Sequence, residues 1–156
     1  MTNDGASGPL SRAEIIARAR TWVDGDVHYL DESGTWPMSA PDPQGRQYRT
    51  DCSGFVAMAW AADHQPATCD FDSLGYEIEA ADLRSGDAVL WKGEGGYGDG
   101  GGHVVLFDQW ADPGRTEYVC FELSGGRYAH RVIHRYPYPR RGELYVAWRP
   151  HSVKED

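Results

Sequence analysis

The sequence contains few cysteines, no excess of basic residues and no long hydrophobic run. Its cysteines, Cys52, Cys69 and Cys120, are too few and too widely spaced for a disulfide framework, and no CxxC pair points to zinc. The 24 acidic and 15 basic residues give a formal net charge of −9, which opposes nonspecific binding to nucleic acid or anionic lipid. No apolar stretch approaches the ~20 residues that span a bilayer. We therefore expect neither a nucleic-acid partner nor membrane insertion.

The N-terminal residues lack the basic region and apolar stretch of a signal peptide. Residues 1–10 are predicted to be a flexible leader, and residues 11–156 a single domain, because 156 residues with 40% hydrophobic content suffice for one core. As written, the chain is expected to be cytoplasmic. The alternative is an extracellular location, reached by another secretion route or through an export segment that this sequence lacks. The oligomeric state is not predicted.

The order of the predicted elements indicates an α+β domain. Ser11 to Glu14 match a capping box, which predicts a helix ending near Gly25, and the apolar segment 55–62 predicts a buried second helix. Residues 31–50 are rich in Pro and Gly and predict an irregular loop. Later segments rich in β-branched and aromatic residues predict a mostly antiparallel sheet: 89–91, 103–110, 117–123, 129–136 and 144–148.

Cys52 stands at the predicted start of the second helix, in the sequence Asp51-Cys52-Ser53-Gly54. A thiol reacts as the thiolate, and the positive end of a helix favours that anion. The backbone N–H groups there also suit an oxyanion, and Asp51 is predicted to cap the helix. Cys52 is therefore a candidate nucleophile, whereas Cys120 in a predicted strand is most simply a small buried hydrophobe.

His103 follows a glycine-rich segment and opens an apolar strand. Residues 96–101 match G-x-G-x-x-G, but a phosphate-binding loop should open a helix, so the segment is interpreted as a mobile connection or flap beside the site. A histidine at a strand end lies where the core meets solvent, which suits a general base, although a structural role stays open. Cys52 and His103 can meet only through the fold.

Three ordered blocks carry a family resemblance: residues 50–56, Thr-Asp-Cys-Ser-Gly-Phe-Val; residues 82–91, Asp-Leu-Arg-Ser-Gly-Asp-Ala-Val-Leu-Trp; and residues 102–107, Gly-His-Val-Val-Leu-Phe. They resemble the NlpC/P60 family of papain-like cysteine peptidases, whose blocks are D-C-S-G-F, L-x-P-G-D-L-x-F-W and H-V-G-I-Y in that order. The resemblance spans roughly residues 27–125. It implies a papain-like fold with the nucleophile helix packed on the sheet.

The resemblance also implies roles for individual residues. Cys52 would be the nucleophile and His103 the base, and the third polar residue, usually His, Asn or Gln, would lie on the next strand. Alternation puts Glu122 on the same strand face as Cys120, within reach of the imidazole, so we expect Glu122 to orient it. An exposed or arginine-paired glutamate is the alternative.

Further residues are expected around the nucleophile. The family's upstream active-site tyrosine best corresponds to Tyr29, with Tyr48 as the alternative, and either could simply pack in the core. Asp51, Ser53 and the tyrosine would bind substrate or the oxyanion, and Asp51 could face a substrate amine.

The implied activity is cleavage of an amide in peptidoglycan-type peptides through a thioester acyl-enzyme, with a peptide or muropeptide as partner and no cofactor. The alternatives are an amidase or acyltransferase acting on another small peptide or lipid, and a catalytically silent binding module. His130 and His134 share a spacing that could hold a metal, but no third ligand is near them, and no metal site is predicted. The basic cluster of Arg131, Arg135, Arg140 and Arg141 is either a solvated face or a site for a substrate carboxylate.

Overall fold

The computed structural model describes residues 9–31, 33–93 and 101–155. It contains two α-helices, α1 (Arg12–Asp24) and α2 (Cys52–Ala59), and several short 3-10 helices. The strands are β1 (Leu10–Ser11), β2 (Ser39–Pro41), β3 (Gln47–Arg49), β4 (Gly75–Ile78), β5 (Ala88–Trp91), β6 (His103–Trp110), β7 (Glu117–Glu122), β8 (His130–Arg135), β9 (Val146–Pro150) and β10 (Val153–Lys154).

Six strands form one sheet in the order β4-β9-β5-β6-β7-β8, and all neighbouring pairs in it are antiparallel. The predicted α+β class is confirmed, since a small helical part packs on a mostly antiparallel sheet. None of the helices in the described residues is long and apolar enough to cross a membrane.

The predicted capping box starts α1. The Ser11 side chain accepts a hydrogen bond from the Glu14 backbone N–H at 3.0 Å, and the Glu14 carboxylate accepts one from the Ser11 N–H at 2.7 Å. Gly25 caps the other end, as predicted. Both ends of this helix therefore follow from local sequence.

The second helix is buried along its length, with every residue from Ser53 to Ala59 inside the core. It is shorter than predicted, because it ends at Ala59 and Ala61 adopts a left-handed conformation with φ 53°. Asp51 is its N-cap, and the carboxylate accepts a hydrogen bond from the Gly54 N–H at 2.8 Å. The cap fixes Cys52 as the first helical residue.

Each face of the sheet packs against a different layer. The face that carries Leu90, Val104 and Phe121 packs against the two helices. The opposite face carries Val105 and Cys120, and it is covered by aromatic side chains that include Trp110, Tyr136, Tyr138 and Tyr145. Because side chains alternate along a strand, residues at the strand ends such as His103 and Glu122 belong to the second face.

Asp87, within the second sequence block, joins the ends of the chain to the sheet. Its fully buried carboxylate accepts hydrogen bonds from Arg12 at 2.9 Å and from Arg149 at 2.9 Å and 3.1 Å. It also accepts one from the Arg84 backbone N–H at 2.9 Å. A buried carboxylate needs such partners, so this aspartate has a structural role.

Three sequence-based expectations need correction. Residues 31–50 are not uniformly irregular, because β2 and β3 pair there as an antiparallel hairpin that the Pro and Gly content obscured. Strand β4 was not predicted. The predicted leader extends too far at its end, since Leu10 is buried and pairs with Val153 of β10. Residues 1–8 of that leader lie outside the described residues.

Candidate active site

Cys52 lines a cavity of about 130 Å³ beside the start of α2. The thiol is partly exposed, and the backbone N–H groups of a helix's first turn have no partner within the helix. Asp51, Ser53, Tyr29 and Arg49 line the same cavity. The local geometry therefore combines an accessible thiol with hydrogen-bond donors for an oxyanion.

His103 is the first residue of β6 and lies between Cys52 and Glu122. Its Nε2 donates a hydrogen bond to a Glu122 carboxylate oxygen at 2.7 Å, which leaves Nδ1 as the ring atom available to Cys52. Burial opposes a charge on the ring, but hydrogen bonds to Cys52 and Glu122 outweigh it and raise the pKa of His103 to about 10. The fold thus favours the protonated form of the ring beside the Cys52 sulfur.

The β6–β7 register explains the contact between His103 and Glu122. Leu106 pairs with Phe121, so extending the antiparallel register by one residue sets Glu122 opposite Val105. His103 is two residues before Val105 on the same face, and such diagonal neighbours are within reach of long side chains. The register of β6 and β7 therefore explains why the Glu122 carboxylate reaches the His103 imidazole, as alternation along the strand predicts.

Glu122 accepts hydrogen bonds from three side chains, although it is only 3% exposed. His134 Nε2 donates at 2.8 Å to the oxygen opposite the one that His103 contacts, and the Tyr138 hydroxyl donates to the same oxygen as His103. Burial would raise the pKa of Glu122, but the hydrogen bonds from His103, His134 and Tyr138 and the charge of His103 hold it well below its usual range. The alternative of an exposed or arginine-paired glutamate is wrong.

Sequence reasoning missed the roles of His134 and Tyr138. His134 was considered only with His130 as a metal pair, yet its ring contacts Glu122, and His130 Nδ1 contacts the backbone carbonyl of Tyr128 at 2.9 Å. Tyr138 lies beyond the last residue of β8, where no local pattern ties it to Glu122. A sequence signal existed only for His134, which alternation along β8 puts on one strand face with His130.

Burial distinguishes the two candidates for the active-site tyrosine, Tyr29 and Tyr48. Tyr29 lines the Cys52 cavity, and burial together with the negative charges of Cys52 and Asp51 raises the pKa of Tyr29 to about 12. Tyr48 is 1% exposed, and its hydroxyl donates to the Ala62 carbonyl at 2.7 Å. Tyr48 therefore packs in the core, and Tyr29 is the tyrosine that can meet a substrate at Cys52.

Asp51 and Ser53 form a small polar network with Arg49, a residue that sequence reasoning did not single out. Arg49 donates to Asp51 at 2.7 Å and to the Ser53 hydroxyl at 3.1 Å, and that hydroxyl lies 3.3 Å from Asp51. Asp51 thus caps the helix and binds a guanidinium at once. A substrate amine would approach a carboxylate that is partly neutralised.

The glycine-rich segment borders the site at its described end. Gly101 and Gly102 line the Cys52 cavity, and the Thr68 hydroxyl donates to the Gly101 carbonyl. Residues 94–100, where the flap was predicted, lie outside the described residues. In the described residues, no group of three or more His, Cys, Asp or Glu side chains is arranged to hold a metal ion.

Structural comparison identifies similar solved structures. The chain matches Rv1477, a hypothetical invasion protein of Mycobacterium tuberculosis, with a TM-score of 0.57 and 16% identity over 92% of this chain and 62% of that one. It matches the Resuscitation Promoting Factor Interacting protein RipA, mutated at a cysteine, with a TM-score of 0.54 and 17% identity over 89% of this chain and 62% of that one. It also matches the P60 domain of antigen MAP1204 from M. avium subspecies paratuberculosis, with a TM-score of 0.53 and 18% identity over 92% of this chain and 98% of that one.

These neighbours are NlpC/P60 structures, and the chain has their fold. It spans 62% of the length of the Rv1477 and RipA chains and nearly all of the MAP1204 P60 domain. No protein-family model and no curated protein matches the sequence. The likeness is therefore one of fold, at identities of 16% to 18%.

Proposed function

We propose that this protein is a cysteine hydrolase that cleaves an amide bond in a peptidoglycan-type peptide. One observation carries the proposal: His103 contacts a carboxylate with one nitrogen and has the other available to a thiol at a helix N-terminus. This is the arrangement that activates a nucleophilic thiol, with a base beside it and a third group orienting the base.

The mechanism follows from the geometry. Cys52 attacks the amide carbonyl carbon as the thiolate, its proton having passed to His103 Nδ1, and the backbone N–H of Cys52 at the start of α2 stabilises the oxyanion. His103 donates its Nδ1 proton to the leaving nitrogen, so the C–N bond breaks and a thioester remains. His103 then takes a proton from water, whose oxygen attacks the thioester carbonyl, so the C–S bond breaks and the acid, the Cys52 thiolate and the protonated His103 are released. Glu122 holds the ring orientation throughout.

The substrate class rests on the fold neighbours. The chain has the fold of NlpC/P60 domains, which favours a peptidoglycan-related hydrolase. Two of the RipA structures carry mutations at a cysteine and at a glutamate, the same two residue types that flank His103 here. Tyr29, Asp51 and Ser53, which line the Cys52 cavity, are proposed to bind the acyl half of the substrate.

Digestion of purified muropeptides, with products identified by mass spectrometry, tests the proposal. Wild-type protein should release two fragments at one amide, and heavy-oxygen water should label the new carboxylate if the reaction is hydrolysis. Cys52→Ala should abolish cleavage, whereas Cys69→Ala, which changes a thiol outside the cavity, should retain it. Fragments without heavy oxygen would indicate transfer to another acceptor. Absence of cleavage by the wild type would support a silent binding module.

A further inference from the structure

His103 lines a second cavity, which Cys52 does not line. Its volume is about 460 Å³, against about 130 Å³ for the Cys52 cavity, and the two share no lining residue. We call it the arginine cavity, and the lining residues that matter are Trp91, His103, Tyr138, Arg140, Arg141 and Tyr145. Cys52 therefore lines one cavity and His103 lines the other, so the two reacting groups lie where the two cavities adjoin.

The proposed reaction assigns a half of the substrate to each space. The nucleophile bonds to the acyl carbon, so the acyl half lies on the Cys52 side. The general acid must be within hydrogen-bond reach of the nitrogen that leaves, so the amine half lies on the His103 side. The arginine cavity is thus the space that receives the leaving amine.

Positive charge dominates the outer wall of this cavity. Arg140 and Arg141 are exposed, and the Arg141 guanidinium lies 5.2 Å from the centre of the Trp91 ring. Among the described residues neither arginine forms an ion pair, whereas Arg131 pairs with Asp108 at 3.6 Å. The chain as a whole is acidic, with a formal charge of −9, so the two adjacent guanidinium groups form a local positive region beside the site.

Tyr145 connects the arginine pair to the reacting groups. Burial and the negative charges of Glu122 and Cys52 raise the pKa of Tyr145, while the positive charges of Arg141 and Arg140 oppose that rise. Its hydroxyl is thus within electrostatic range of the nucleophile and of both arginines.

We propose that the arginine cavity binds a carboxylate carried by the leaving amine. The preferred substrate is then an amide whose nitrogen belongs to an amino acid with a free carboxylate, and a planar guanidinium is suited to that anion. This inference rests on the proposed function and adds the substrate class on the leaving side.

Two matched peptides test the inference. Ala-γ-D-Glu-Lys is prepared with a C-terminal carboxylate or a carboxamide, so the charge changes only on the leaving half. Wild-type kcat/KM should favour the carboxylate roughly tenfold, the value of a hydrogen-bonded charge at a solvated site. In the double variant Arg140→Gln/Arg141→Gln, the ratio between the two peptides should fall to near one.

The control is the double variant Arg131→Gln/Arg135→Gln, which makes the same net-charge change on two exposed arginines outside the cavity. It should retain the wild-type ratio. Equal wild-type rates on both peptides would overturn the inference and leave the proposed function intact. A ratio that falls equally in both double variants would also overturn it, because bulk charge would then explain the preference.

A second readout does not require peptide cleavage. Bromoacetyl-glycine and bromoacetyl-glycinamide both alkylate thiols and differ in one carboxylate. The carboxylate reagent should modify Cys52 faster in the wild type, and the advantage should disappear in Arg140→Gln/Arg141→Gln. If neither tripeptide is cleaved but this advantage is present, the carboxylate site stands and the peptidase proposal fails. If the two reagents react equally, the carboxylate site is refuted.

Discussion

His103 donates a hydrogen bond from Nε2 to a Glu122 oxygen at 2.7 Å, from the first residue of one strand to the last residue of the next. Glu122 is 3% exposed and is also bound by His134 and Tyr138. The carboxylate is therefore fixed before any substrate arrives. A base held in this way keeps its free nitrogen directed at the thiol, which is the preorganisation that acyl transfer requires.

Cys52 should be the most readily alkylated of the three thiols. It is partly exposed beside an imidazolium, whereas Cys120 is fully buried and burial raises the pKa of its thiol. Iodoacetamide below pH 8, followed by peptide mass mapping, should modify Cys52 first, Cys69 more slowly and Cys120 only after unfolding. Equal labelling of Cys52 and Cys69 would remove the case for an activated thiol.

Glu122→Gln should lower activity and shift its pH dependence. Besides the contact with Cys52, the carboxylate holds the pKa of His103 at about 10, so its removal should lower that pKa. The alkaline limb of the kcat/KM profile, where the imidazolium loses its proton, should then move to lower pH. We expect roughly a tenfold to hundredfold loss of kcat/KM, which is smaller than the roughly 10²–10⁴-fold contributed by general acid–base groups because Glu122 only orients such a group, and a larger loss for Glu122→Ala.

The exposed Glu117 on the same strand provides the matched control. Glu117→Gln should leave both the rate and the pH profile as in the wild type. If Glu122→Gln and Glu122→Ala both keep near-normal rates and profiles, Glu122 has no role in orienting the base.

Glu122 should also contribute to stability in a pH-dependent way. Its pKa in the fold lies well below the ordinary value of 4.5, so the unfolded chain binds the proton more tightly. The stabilisation is fully present above pH 4.5 and is lost as the pH falls towards the folded pKa. Urea unfolding measured from pH 6 to pH 3 should therefore show a steeper acid loss for the wild type than for Glu122→Gln. Parallel curves would contradict the lowered pKa.

His134 is predicted to be a positioning residue that acts through Glu122. His134→Phe removes the donor at 2.8 Å and should lower kcat roughly threefold to tenfold with little change in KM, because substrate contacts are untouched. The alkaline limb of the pH profile should also move, which a loss of packing alone would not cause. His130→Phe changes the residue opposite Glu122 on β8, whose ring is hydrogen-bonded to the Tyr128 backbone carbonyl rather than to the carboxylate, and should change neither. If the pH profile of His134→Phe does not shift, His134 contributes only to packing.

Gly54 is predicted to be required for the position of Cys52. A Cβ there would overlap the Arg49 carbonyl oxygen and lie 2.9 Å from the Asp51 cap oxygen. Because the overlap is with backbone, the cost lies towards the upper end of the about 1–3 kcal/mol of overpacking, which exceeds the about 1 kcal/mol of helix propensity that alanine adds. Gly54→Ala should lower Tm by several degrees and reduce Cys52 alkylation. Gly114→Ala, where the nearest atom is 3.4 Å away, should change neither quantity.

The sequence predicted what depends on local or periodic signals. The capping box of α1, the Asp51 cap of α2 and most sheet strands are confirmed because each is encoded by neighbouring residues. The hairpin of β2 and β3 was missed because it is short and its pairing with a neighbouring strand outweighs its Pro and Gly content. Strand alternation also gave the face of Glu122, since the two-residue period needs no tertiary information.

The tertiary structure alone decided which of these residues meet. Nothing in the sequence specifies that Tyr138, beyond the end of β8, covers Glu122, or that His134 donates to that carboxylate rather than to a metal. The choice of Tyr29 over Tyr48 likewise depends on burial. Arg140, Arg141 and His103 line one cavity only because the segment after β8 packs beside the start of β6. Contacts between residues distant in the chain are fixed by packing of the whole core, whereas local sequence fixes only the elements that carry them.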